Sequence, residues 1–140
     1  MMFNNLKQYG TFSGQLQLGS VCHYRYDAKT KDKLPIWDMF PLAIPFEIAE
    51  GGWFSMNLHY VSKAVRKAIL SEFIVNSAKE EHARLNANYR LMKQMALYDE
   101  LKPTIKRYLT DHLRSRFLII DTMYWDKIIQ LPTAQWVKKK

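Results

Sequence analysis

The chain has 140 residues, a formal charge of +8 and a pI near 9.6, with 48% hydrophobic and 14% aromatic side chains. That length fits one domain, and that apolar content supports a packed core, which excludes a disordered chain. The single cysteine, Cys22, excludes an internal disulfide framework and a cysteine-clustered zinc site, and fits a reducing, intracellular setting.

Met1 to Gly19 reads as an arm preceding a single α+β domain over Ser20 to Lys140. It lacks the apolar run of a secretory signal, and Lys7 is its one positive side chain. Phe3, Leu6, Phe12, Leu16 and Leu18 are scattered in it, a pattern expected to order on a partner. Val21 to Tyr26 then reads as a strand with Cys22, Tyr24 and Tyr26 on one face. Phe40 to Ala49 is the most apolar stretch, but Pro41, Pro45 and Glu47 interrupt it, far short of the ~20 residues of a membrane helix. Pro41 to Ile48 and Trp53 to Tyr60 are predicted as the arms of a hairpin turning at Glu50-Gly51-Gly52. Period-two alternation places Phe54, Met56, Leu58 and Tyr60 on one face of the second arm.

Helices follow. Ser62 is placed to cap a helix starting at Lys63, with Val65, Ile69, Leu70 and Phe73 as its buried stripe. A second helix is predicted from Lys79 to Leu97, with Glu80 and Glu81 in its first turn and Leu85, Tyr89, Met92 and Ala96 inward. Pro103 suits the first turn of a third, which would bury Ile105, Leu109 and Leu113. Phe117 to Ile120 and Lys127 to Leu131 read as two closing strands, stopped by Pro132. The fold class is therefore α+β: a small bent antiparallel sheet or Src-homology-3-like barrel, with a two- to three-helix insertion before the last strands. The barrel is the preferred form; a sheet that packs on the helices without closing is the alternative.

The charge is unevenly spread. Residues 1–61 are neutral, residues 62–116 carry +6, and residues 117–140 carry +2 from the terminal Lys138, Lys139 and Lys140. Lys63, Arg66, Lys67, Arg90, Lys93, Lys106, Arg107, Arg114 and Arg116 are thus the candidate nucleic-acid contacts, on a basic helical face. Clustered Lys and Arg neutralise phosphates and release counterions, giving affinity without sequence preference. The competing explanation is a solvated helix surface, diluted by six acidic residues in the same stretch. Trp37, Trp53, Tyr24, Tyr26 and Tyr60 are potential stacking platforms, but a small β-domain needs most of its aromatics for its core.

Four segments in order carry a resemblance: Tyr26-Asp27-Ala28-Lys29; Leu34-Pro35-Ile36-Trp37-Asp38-Met39-Phe40-Pro41-Leu42; Met56-Asn57-Leu58-His59-Tyr60 with Arg66 after it; and Ile128-Ile129-Gln130-Leu131-Pro132. Together they resemble a family of small proteins of tailed bacteriophages, T-even-like myoviruses and their cyanophage relatives. Members of that family are grouped with virion proteins and with proteins protecting packaged DNA ends. The matching part runs from about Ser20 to Lys138, leaving the arm outside. The resemblance implies a phage protein in the host cytoplasm or the virion.

Catalytic patterns are thin. His23, His59, His82 and His112 lack helical i, i+4 spacing and an H-E-x-x-H frame, so no metal or other cofactor is expected. Asp38 and Glu47 are spaced like a loose nuclease motif, but the lysine expected two residues after Glu47 is Ala49. His59 beside Asn57 reads as a hydrogen-bonded structural pair. The leading expectation is a non-enzymatic phage protein that binds DNA or a DNA-containing assembly. The alternatives are a protein–protein module and, third, a small metal-dependent nuclease using Asp38. The module would be a virion component, or a factor on a host machine such as RNA polymerase, docking through the arm and exposed aromatics. An acidic protein surface is a partner nearly as fitting as DNA, and neither a membrane nor a small-molecule substrate is expected.

Overall fold

The computed structural model describes residues 6–27, 36–76, 79–129 and 137–138. Its most local feature is the hairpin of β4 (Leu42–Ala49) and β5 (Gly52–Asn57), turning where expected. Gly51 has φ +73, a left-handed conformation that costs glycine nothing. Alternation puts Leu42, Ile44, Phe46 and Met56 into one buried cluster and Trp53 into another. A register shift at Pro45–Glu47 bends the pair.

Around this hairpin an antiparallel sheet has the order β1-β7-β2-β4-β5-β6. Its other strands are β1 (Gly10–Ser13), β2 (Cys22–His23), β6 (Ile105–Leu109) and β7 (Phe117–Ile120). β3 (Ile36–Trp37) pairs separately with β8 (Val137–Lys138). β1 and β6 are the two edges and do not meet, so the sheet is open. The preferred barrel does not form; the helices cover the face that closure would have had to seal.

Those helices are α1 (Lys63–Asn76), α2 (Glu81–Met95) and the short α3 (Trp125–Ile129). The Ser62 hydroxyl accepts from the Val65 N–H at 3.3 Å, so Ser62 caps α1 as expected. Glu80 caps α2 from just outside it, accepting from the His82 and Ala83 amides at 3.0 and 2.7 Å. Ile69, Leu70 and Phe73 of α1, Met92 of α2, and Trp125 and Ile128 of α3 close the core over Leu42, Ile44, Met56 and Leu118.

Three predicted elements differ. Ile105–Leu109 is a strand, not a helix, preceded by a 3-10 turn over Asp99–Thr104 that contains Pro103. As a strand it directs Tyr108 into the aromatic cluster, which a helical turn would not do. Lys127 to Ile129, expected as strand, belongs to α3, where Trp125 and Ile128 at helical spacing both reach the core; the rest of that segment and Pro132 lie outside the described residues. β5 ends at Asn57 and Leu58–Tyr60 is a 3-10 turn, yet Leu58 enters the same core cluster as Met56 and Phe54, whereas Tyr60 does not. In the segment expected as an arm, Gly10–Ser13 pairs with β7 and Leu6 is buried in the core.

The opposite face of the sheet carries Cys22, Tyr24, Tyr26, Trp53, Tyr108 and Phe117. Tyr24 meets Trp53, Tyr108 and Phe117 edge-on at 5.4–5.7 Å between ring centroids. Such pairs add about 0.5–1.5 kcal/mol each beyond their burial. These rings are therefore core. Burial also pushes the Cys22 thiol well up, leaving it unreactive.

His23, beside them in sequence, is buried on the helix side and donates from Nδ1 to the Pro41 carbonyl at 2.9 Å. Burial lowers its pKa to about 4, with the His59 ring adding to the shift and the Pro41 bond and Asp38 opposing it. The folded state thus holds this ring neutral while the unfolded chain takes up a proton near pH 6.5. Stability is full above pH 6.5 and falls as the pH drops towards 4. Between pH 7 and pH 5 the expected loss from this ring is about 2 kcal/mol. Urea unfolding of the native protein and of His23→Asn at both pH values checks it: the variant should show a flatter pH dependence, and equal slopes would refute the assignment.

Candidate nucleic-acid interface

The basic residues singled out in the sequence fall on four different kinds of support. Lys63 and Lys67 are exposed one turn apart on α1, and Arg90 is exposed on α2. Lys93, also on α2, is ion-paired with Glu47 of β4, which raises its pKa. Lys106 and Arg107 stand on edge strand β6, not on a helix. The Lys106 ammonium lies 4.4 Å from the Tyr60 ring centroid, and burial lowers its pKa. Arg107 donates to the Glu50 carbonyl at 2.6 Å, clasping the hairpin turn.

Arg66 is the exception. It is fully buried, at 0% exposure. Position 66 continues the stripe of Ile69, Leu70 and Phe73 at helical spacing, so its side chain points inward while Lys63 and Lys67 point out. Its guanidinium donates to the Ile128 carbonyl at 3.2 Å and to the Leu58 carbonyl at 3.1 Å, tying α1 to α3 and to the turn after β5. Burial lowers its pKa, and the group acts as a structural clamp. It is not part of a surface shared with Lys63 and Lys67.

The structure joins two of the candidates to an arginine that sequence reasoning left out. Arg114 and Arg116 lie in the connection leading to β7, which runs beside Arg25. The Arg114 N–H donates to the Arg25 carbonyl at 2.9 Å, and the Arg25 N–H to the Ser115 hydroxyl at 2.9 Å. All three arginines are exposed. Arg116 sits over the Phe12 ring at 5.5 Å, and Arg114 is 3.6 Å from Asp27. Arg25 belongs to the segment whose charge sums to zero, so no run of basic residues marks it.

Among the candidate chemical groups, Asp38 is buried within a polar knot. Its Oδ2 accepts from His59 Nδ1 at 2.6 Å and from Asn57 Nδ2 at 3.0 Å, and its Oδ1 from the Phe40 N–H at 3.0 Å. Asn57 also donates to the Tyr108 hydroxyl at 3.0 Å and accepts from the His59 N–H at 2.9 Å. The expected Asn57–His59 pair exists, extended by Asp38, a partner that spacing did not suggest. Glu47, bound to Lys93, does not converge on it. Among the described residues, no three His, Cys, Asp or Glu side chains group as metal ligands. Of the proposed stacking platforms, Tyr24, Tyr26 and Trp53 are buried and Tyr60 is half-buried under Lys106. The Trp37 side chain lies outside the described residues.

No helix among the described residues is long and apolar enough to cross a membrane. Comparison with curated proteins and with solved structures yields no match. The model of one protein family does match, from residue 6 to residue 140, and so includes most of the segment that the four quoted motifs left outside. The chain belongs to the family of the phage T4 terminal DNA protecting protein.

Proposed function

We propose that this chain is a non-enzymatic phage protein that binds the ends of DNA duplexes in the infected host cell or in the virion. The observation that carries this reading is membership, over nearly the whole chain, of a family described as protecting terminal DNA. The chemistry supports it. An excess of eight positive charges favours a polyanion, and exposed Lys63, Lys67 and Arg90, with Arg25, Arg114 and Arg116, are side chains suited to phosphates. Both oxygens of Asp38 are engaged in hydrogen bonds that hold the fold, which supports a binding role over a hydrolytic one.

The test is affinity for blunt linear duplex against a closed circle of the same sequence, across a salt series. Linear DNA should bind more tightly, and the logarithm of affinity should fall steeply with that of salt concentration. Lys67→Ala and Arg116→Ala should each flatten the salt slope by about one while weakening all sequences alike. Equal affinity for circle and linear duplex, or binding indifferent to salt, would overturn the reading.

A further inference from the structure

A cavity of about 290 Å³ opens between the turn before β2, the start of α2 and the end of β7, lined by Gln17, Ser20, Arg84, Asp121, Thr122 and Trp125 among others. We propose that it seats the phosphomonoester of a strand-terminal nucleotide. This deepens the DNA-end reading and rests on it.

Its walls are fixed by buried contacts. Gly19 has φ +84, and a Cβ there would lie 2.6 Å from the Leu85 carbonyl oxygen, so the turn lies flat on α2 next to Arg84. The Asn88 amide donates to the Gly19 carbonyl at 3.0 Å and accepts from Asn76 at 2.9 Å, while the Gly19 N–H donates to the Pro45 carbonyl at 2.9 Å. Trp125 is 2% exposed, its ring set against Phe73 at 5.3 Å. A pocket held this way needs little ordering when a ligand enters.

Arg84 supplies the charge. It is half-buried at the cavity wall. Glu80 feels the Arg84 charge but directs its hydrogen bonds to the amides of His82 and Ala83, and Glu81 accepts from the Gln17 amide at 3.5 Å. A partly desolvated guanidinium gains most from an anion with paired oxygens, and phosphate matches its fork. Thr122 brings a hydroxyl to the same space, and Ser20 another, turned towards Gln17.

Asp121 narrows the ligand. Its carboxylate is exposed at the cavity and does not cap the turn that follows. It disfavours anionic charge at its own end of the cavity and suits a hydroxyl or amino donor there. A phosphate at Arg84, carried on a sugar and base that offer donors to Asp121, satisfies both ends. The cavity is at the small end of the range for ligand pockets, roughly 300 Å³, and is too small for a length of duplex.

The test compares the full chain on short blunt duplexes with 5′-phosphate, 3′-phosphate or hydroxyl ends and on a closed circle, with dAMP and adenosine as competitors. One phosphorylated end should bind roughly tenfold tighter than hydroxyl ends, the scale of a charged hydrogen bond. Arg84→Gln and Thr122→Val should each erase that difference between phosphate and hydroxyl ends. Equal binding of phosphate and hydroxyl ends, with ends still preferred over the circle, overturns the pocket and leaves the DNA-end reading standing. No preference for ends overturns that reading and the pocket with it. Arg84-dependent binding of dAMP without any effect of the terminal phosphate on duplexes assigns the cavity to free nucleotides and overturns the strand-end assignment. Should Arg84→Gln fail to fold, the native comparison and Thr122→Val still decide.

Discussion

Arg66→Ala is expected to destabilise the fold by about 3 kcal/mol or more, from two stranded carbonyls at about 1–3 kcal/mol each and the volume left empty. Two carbonyls, of Leu58 and Ile128, lose their donors, and a cavity opens where α1, α3 and the turn after β5 meet. Arg66→Met, which refills most of the volume but donates nothing, should recover part of the loss. Lys67→Ala, one residue along and exposed, should stay within about 0.5 kcal/mol of the native protein. Urea midpoints of the three variants measure this directly. If Arg66→Ala keeps the native midpoint while DNA affinity falls, Arg66 contacts DNA and the clamp assignment is wrong.

The second large effect is expected at Asp38. Asp38→Ala leaves the His59 Nδ1–H, the Asn57 amide and the Phe40 N–H without their shared acceptor inside the protein. Each stranded group costs about 1–3 kcal/mol, so a loss of about 3 kcal/mol or more is expected. Asp38→Asn keeps an acceptor oxygen and should cost less, though its amino group meets donors on one side. Both variants, kept below their melting temperatures, should bind DNA with native affinity. A metal-dependent cleavage activity in the native chain that disappears in Asp38→Asn would instead make Asp38 a catalytic residue. Thermal melting and a cleavage assay on the same samples separate the two outcomes.

These two residues also show where sequence reading reaches its limit. Arg66 was open to detection: it falls in register with Ile69, Leu70 and Phe73, and a charge on an apolar stripe signals a buried clamp. Reading charge by density along the chain hid that register. The Asp38–His59 contact was not open to detection, because it depends on how the connection before β4 lies against the turn after β5. The hairpin at Gly51, the Ser62 cap and the shared face of Cys22, Tyr24 and Tyr26 were legible, being set by neighbours within a few residues. Ile105 to Leu109 misled because its apolar residues are four apart, while Tyr108 between them is the residue that the fold buries. Short strands and short helices of this kind are decided by what lies opposite. Arg25 and Arg84 escaped for a similar reason, since each matters through a surface assembled from distant segments.

The pairing of β1 with β7 has a consequence for how the molecule is made. Gly10 lies opposite Ile120, and Cys22 opposite Ile119, so β1, and one side of β2, must wait for almost the last strand. During synthesis β4, β5 and α1 emerge as neighbours and have local partners, whereas β1 has none until the ribosome has delivered β7. Loop-closure entropy makes so long a pairing slow compared with the hairpin. Until it forms, β2 lacks one neighbour and Leu118 and Ile120 have no core to enter. The nascent chain therefore passes through a stage with an unpaired strand edge, and insertion of β7 between β1 and β2 is the step that ends its exposure to aggregation.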